Sequence, residues 1–195
     1  YIYITASANF GNMFSMAGAS IFLPFLPLRP TQILLTNLLT DFPEMQIAKD
    51  TVDEEQLAKP RRWNIAFIKK FMTVFGLLSS VFDYMTFGVL MLVFGANEAL
   101  FQTGWFTESI LSATMIVFVM RTQRRFTESR PSKGILIATA LVILATLALP
   151  YTPLGTLLHF APLPGMMYVA IFAIVILYML SGELLKRWFY QHNQP

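Results

Sequence analysis

Six apolar runs, at about 1–24, 31–48, 67–94, 104–120, 134–152 and 163–182, fill most of this chain and leave its charges in the gaps. That pattern constrains the fold more than any motif does, because each run approaches the roughly 20 apolar residues a helix needs to cross a bilayer. The expected fold is therefore an all-α membrane protein, a bundle of six transmembrane helices forming one domain over residues 1–195. Composition agrees: 55% of residues are hydrophobic and 13% charged, far from the balance of a soluble domain. The chain has no cysteine and only two histidines, which excludes a disulfide framework, a thiolate metal site and a histidine zinc cluster. The lipid bilayer is the implied partner. Nucleic acid is not, since the net charge of +3 is spread through the gaps and forms no patch. The opening "YIYITASANF" has neither an initiator methionine nor the features of a signal peptide, and reads as the start of a fragment.

The gaps set topology. Lys49, Lys59, Arg61, Arg62, Lys69 and Lys70 fall between runs two and three; Arg121, Arg124, Arg125, Arg130 and Lys133 fall between four and five; Lys186 and Arg187 follow run six. Only Arg29 lies on the opposite side, so 13 of the 14 basic residues sit on alternate connections. By the positive-inside rule both chain ends and the loops at 49–66 and 121–133 are cytoplasmic, in a multi-pass membrane protein. On the other face the links "FLPLRP", "GANEALFQTG" and "PYTPLGTLLHFAPLPG" are short. The segment "KDTVDEEQLAKPRRWN", acidic and then basic, reads as a structured cytoplasmic link; its functional reading is a docking surface for other cytoplasmic parts.

Polar residues inside a span are costly in hydrocarbon and are the first candidates for function. In the first run Thr5, Asn9 and Asn12 recur at helical spacing on one stripe. A neighbouring stripe of Ser7, Gly11, Ser15 and Ala19 suits close approach by another helix. Alone, the asparagines fit interhelical hydrogen bonding as well as ligation. The second run, with "LLTNLLTDFPEMQIAKD" at 34–50, places Asn37 and Asp41 one turn apart with Thr40 beside them. Pro43 has no N–H for the Leu39 carbonyl and pushes Phe42 out of the α region, so a helix broken or loosened near Asp41 is expected. Carbonyls freed at membrane depth survive only inside protein or beside a wet cavity, and broken helices next to a carboxylate are how transporters build cation sites. Oxygen-only donors suit hard cations such as Mg²⁺, Ca²⁺ or Na⁺, and exclude soft thiolate-type copper or zinc.

Four further residues are secondary candidates. Glu44, one turn past Asp41, is placed at the cytoplasmic end of the same pathway, and Thr5 belongs to the stripe of Asn9 and Asn12. Asp83, mid-span in "SSVFDYMTF", has Ser79, Ser80 and Thr86 at hand to satisfy it, which favours a structural role. Glu108 lies nearer the outer end of its span, where water can reach it; it fits an entrance residue and an interfacial acid equally. Glu183, at the cytoplasmic end of the last span, is expected to be a solvated acid.

These residues carry a resemblance. "SANFGNMFSM", "NLLTDFPEM", "LAKPRRWN", "SSVFDYMTF" and "QTGWF", in that order, resemble the C-terminal six-span region of P-type cation-transporting ATPases, most of all the bacterial magnesium-importing pumps. The resemblance covers essentially the whole chain and implies that its spans are the fifth to tenth of such a pump. It also implies that Asn9 and Asn12, with Asn37, Thr40 and Asp41, supply the cation ligands, Asp41 being the charged one. The transported cation implied is Mg²⁺, with Ca²⁺ or another hard cation as the alternative; Asn12 stands where calcium pumps usually carry an acid, and losing that charge argues for fewer bound ions or a different one.

The phosphorylation motif of that superfamily and any nucleotide-binding loop are absent from this stretch. No catalytic residue is therefore expected here; ATP and its Mg²⁺ would belong to the full-length pump, whose N-terminal spans and cytoplasmic domains are the implied partners. Two other classes compete: a secondary transporter or channel, and a non-transporting membrane assembly subunit. No internal similarity between 1–94 and 104–182 supports an inverted repeat.

Overall fold

The structure is a computed structural model that describes residues 2–50 and 64–192. Its helices are α1 (Ile2–Phe22), α2 (Pro30–Gln46), α3 (Ile65–Gly88), α4 (Glu98–Met120), α5 (Lys133–Ala148), the short α6 (Pro153–Leu157) and α7 (Gly165–His192). No strand occurs among the described residues, so the all-α class holds. By length and composition four helical stretches can cross a membrane: α3 with the π turn Val89–Val93 that continues it, α4, α5 with the turn Leu149–Tyr151, and α7. α1 and α2 are diluted by the polar residues singled out above, and α2 has only 17 residues.

Side chains cap several of these helices. Asn64, Asn97, Ser132 and Thr152 each precede a helix and accept a hydrogen bond from the backbone N–H three residues on. At α2 the Gln32 side chain reaches back to the Arg29 N–H at 3.0 Å, with Pro30 pre-setting the first turn.

α4 is the central helix. Every residue from Phe101 to Thr114 is buried, as expected of a helix apolar on all sides. Its threonine hydroxyls donate to its own backbone: Thr103 to Ala99 at 2.7 Å, Thr107 to Thr103 at 2.8 Å and Thr114 to Ile110 at 2.6 Å. α1, α2, α3, α5 and α7 all pack against it. The most extensive packing elsewhere is α1 on α3. There the buried face of α1 is Ile4, Ser7, Gly11, Ser15 and Ala19, the small-residue stripe. A Cβ on Gly11 would stand 2.9 Å from Ser79 Cβ and 3.0 Å from the Gly76 carbonyl oxygen, so glycine permits this backbone approach.

Several features depart from the sequence expectations. α2 is not broken at Pro43: the helix runs through it to Gln46 and then tightens into the 3₁₀ turn Ile47–Lys49. Proline this near a helix end removes only the bond to the Leu39 carbonyl, and Pro43 is itself buried, so packing holds the last turn. α4 begins at Glu98, inside the stretch read as the link "GANEALFQTG", because Asn97 caps it and Phe101 already needs burial. α7 extends to His192, and Glu183 on it is buried, not solvated, between Lys186 at 2.8 Å and Arg187 at 3.2 Å. Most of the 49–66 link, with its docking reading, lies outside the described residues.

Candidate cation site

α1 and α2 are consecutive helices joined by a short turn and pinned at their far ends, where the Thr5 hydroxyl donates to Glu44. Between them and α4 lies a cleft of about 370 Å³. Asn9 and Asn12 from α1, Thr36 and Asn37 from α2, and Trp105 and Ser109 from α4 all line it. Three asparagines from two helices therefore line one space. Thr36 spends its hydroxyl proton on the Gln32 carbonyl at 2.9 Å, and the buried Ser109 hydroxyl oxygen has no partner within the protein.

Two of the expected ligands stand apart. Thr40 turns its hydroxyl to its own helix, to the carbonyls of Thr36 at 3.1 Å and Asn37 at 3.2 Å. Asp41 is half-buried beside Glu44, and neither Thr40 nor Asp41 lines the cleft. Glu44 is 2% exposed and accepts from Thr5.

Asp83 is satisfied by other helices, not by its sequence neighbours. Its Oδ2 accepts from Ser15 at 2.6 Å and its Oδ1 from Trp105 Nε1 at 2.8 Å. Ser80 instead bonds the carbonyls of Gly11 and Gly76, and Thr86 that of Phe82. Glu108 is 1% exposed and touches Asp83 and Ser112, so it is a core acid and not one that water reaches at a span end. The α4 packing explains this, since the helix has no open face from Phe101 to Thr114.

Ser109, Thr36 and Trp105 escaped the sequence reading. Thr36 and Ser109 sit one residue from singled-out positions, Asn37 and Glu108, but a hydroxyl in an apolar run signals nothing until its helix is placed. Among the described residues no three histidine, aspartate or glutamate side chains come together to hold a metal. The cleft is lined by residues that carry amide and hydroxyl oxygens together with Met13, Met16, Leu28 and Ile33; amide and hydroxyl oxygens are donors that small hard cations accept.

Fold and cleft together define an all-helical membrane domain with a cleft between its first two helices and its central one. The chain matches the family described as "Cation transporting ATPase, C-terminus" over residues 25–188, and it belongs to that family. It is 44% identical over 194 residues to "Magnesium-transporting ATPase, P-type 1" of Salmonella typhimurium strain LT2, covering 97% of this chain and 22% of that protein. The protein of the same name from Escherichia coli strain K12 gives the same figures, 44%, 97% and 22%. Another Salmonella typhimurium LT2 protein so named is 39% identical over 194 residues. The chain thus spans about a fifth of the length of these curated relatives.

Proposed function

We propose that this chain is part of the membrane half of an ATP-driven cation pump, with Mg²⁺ as the substrate it helps to carry across a bacterial membrane. The observation that carries the reading is the convergence of Asn9, Asn12 and Asn37 on one cleft between α1, α2 and α4. The relatives' name points to the ion, and the oxygen-only donor set agrees with it.

In this reading Asn9, Asn12 and Asn37 replace part of the cation's hydration shell, and Asp41 supplies the negative charge from the next turn of α2. Thr40 holds that turn by donating its hydroxyl to the Thr36 and Asn37 carbonyls of its own helix. The cation-binding half is passive by itself: phosphorylation and ATP hydrolysis belong to the N-terminal and cytoplasmic parts of the longer protein. Both ends of this chain, and the loops at 49–66 and 121–133, face the cytoplasm by their charge.

The test is cation-stimulated ATPase activity of the full-length protein. Asp41→Asn is expected to abolish stimulation by Mg²⁺ while leaving expression intact. Unchanged stimulation across Mg²⁺, Ca²⁺ and Na⁺ removes Asp41 from the site.

A further inference from the structure

The foot of α2, at the end of the bundle that carries the basic loop 121–133, is held by a buried ion pair away from the cation cleft. Arg121 ends α4 and donates from Nη1 to Oδ2 of Asp50, the residue that follows the turn Ile47–Lys49. Their side chains are 1% and 6% exposed. The other Asp50 oxygen accepts from the Ser132 N–H at 2.8 Å, and Ser132 is the residue that caps α5. The second arm of the guanidinium, Nη2, donates to the carbonyl and hydroxyl oxygens of Ser129 in the same loop. One carboxylate and one guanidinium thus join the ends of α2, α4 and α5.

Apolar packing alone holds a helix loosely in register, because burial is non-directional. α2 depends on such packing: Leu34, Leu38, Phe42 and Met45 are exposed along one side, and the other side meets α4 and α5. A buried ion pair is weak evidence of stability, and its best-attested use is to fix register. The place of this pair suits that use. The Asp50 N–H bonds the Ile47 carbonyl and the Ile47 N–H bonds that of Glu44, so Asp50 continues the α2 ladder. Pro43 takes one bond out of that ladder between Asn37 and the foot, so the backbone alone holds the lower turn less firmly to the upper. α5 comes close here as well, since a Cβ on Gly134 would stand 3.0 Å from Gln46 Oε1. At its opposite end the buried Gln32 donates to the Leu158 carbonyl at 3.1 Å, so α2 is tied to the bundle at both ends.

We propose, resting on the pump reading, that Asp50 and Arg121 are positioning residues of the cation cleft. The pair holds the foot of α2 in register on α4 and α5, and so sets where Asn37 stands against Trp105 and Ser109. Neither residue lines the cleft; both act through α2.

The experiment measures Mg²⁺-stimulated ATPase activity and amide hydrogen exchange on the full-length protein. Asp50→Asn, which keeps the shape and removes the charge, and Arg121→Met are each expected to raise the half-saturating Mg²⁺ concentration about tenfold, with kcat per folded pump unchanged. The double variant should rise no further than either single one, since both break the same tie. Arg125→Gln, which breaks the exposed pair with Glu128 in the same loop, should leave the concentration at the wild-type value. Variants that lose only Tm or yield, at a wild-type half-saturating concentration, overturn the proposal and leave the pair a purely structural one. Should neither variant fold, wild-type exchange decides: the Asp50 and Ser132 N–H groups are expected to exchange slowly, and fast exchange there is fatal. A wild type that Mg²⁺ does not stimulate overturns the pump reading and this inference with it; a stimulated wild type with unshifted variants overturns this inference alone.

Discussion

Thr5, in the first turn of α1, donates its hydroxyl to the buried carboxylate of Glu44, in the last turn of α2. The contact closes the end of the α1–α2 pair opposite the connecting turn, so it fixes how far apart the asparagine-bearing faces stand. Thr5→Val keeps the shape and removes the donor, leaving Glu44 buried without its hydroxyl. The expected cost is about 1–3 kcal/mol, read as a lower Tm of the full-length protein in detergent; an unchanged Tm shows that the contact carries no stability.

Gly11 and Gly88 make a matched pair. A methyl at Gly11 would meet Ser79 Cβ and the Gly76 carbonyl at about contact-breaking distance, 2.9 and 3.0 Å, whereas nothing lies within 4 Å of a Cβ at Gly88. Gly11→Ala is expected to push α1 from α3 and cost about 1–3 kcal/mol. Gly88→Ala is expected to stabilise by about 0.4–1 kcal/mol, because it only restricts the unfolded backbone. Opposite signs in thermal unfolding check both.

The helical class and the packing stripe on α1 were legible because they rest on periodicity, and periodicity survives whatever the neighbours are. Ser7, Gly11, Ser15 and Ala19 could be read as an interface without knowing that α3 fills it. The asparagines of the cleft were legible for a related reason: a carboxamide in an apolar run must face something other than lipid. What the sequence hid is which helix lies opposite. Asp83 was assigned to serines on its own helix, yet its donors come from Ser15, 68 residues away, and Trp105, 22 residues away. Pro43 misled in the other direction, since the local rule for proline is strong and yet costs only one hydrogen bond where the helix is about to end. Glu183 was misread because a helix 28 residues long carries its charged end back into protein, here onto Lys186.

Lys186 is a buried cation with three oxygens at 2.8 Å: the carbonyls of Val119 and Arg124 and the Glu183 carboxylate. The first two belong to the C-terminal end of α4 and the turn beyond it, where free carbonyls favour a positive charge. Lys186→Met fills the same space and offers no donor. Glu183 would keep only the half-exposed Arg187, and the α4 carbonyls would lose their cation. The expected loss is about 3–5 kcal/mol, visible as a drop in Tm and in the yield of folded full-length protein. A fully stable Lys186→Met variant would mean that apolar packing alone seats α7 against α4.

The cleft makes a prediction that separates ligation from packing. Asn12, Asn37 and Met16 all line it, and of the three only Met16 lacks a hard donor. Asn12→Ala and Asn37→Ala are each expected to raise the half-saturating Mg²⁺ concentration of the full-length ATPase about tenfold, equivalent to about 1.4 kcal/mol. Met16→Leu, which conserves volume, should leave that concentration unchanged. If all three variants shift it alike, the cleft is a packing defect sensitive to any change. If none does, the cation binds elsewhere, and the asparagines serve as interhelical hydrogen-bonding groups. The expected split, two shifted and one silent, is the result that only direct ligation by the carboxamides produces, because Met16 and Asn12 share α1 and differ at this surface in donor chemistry.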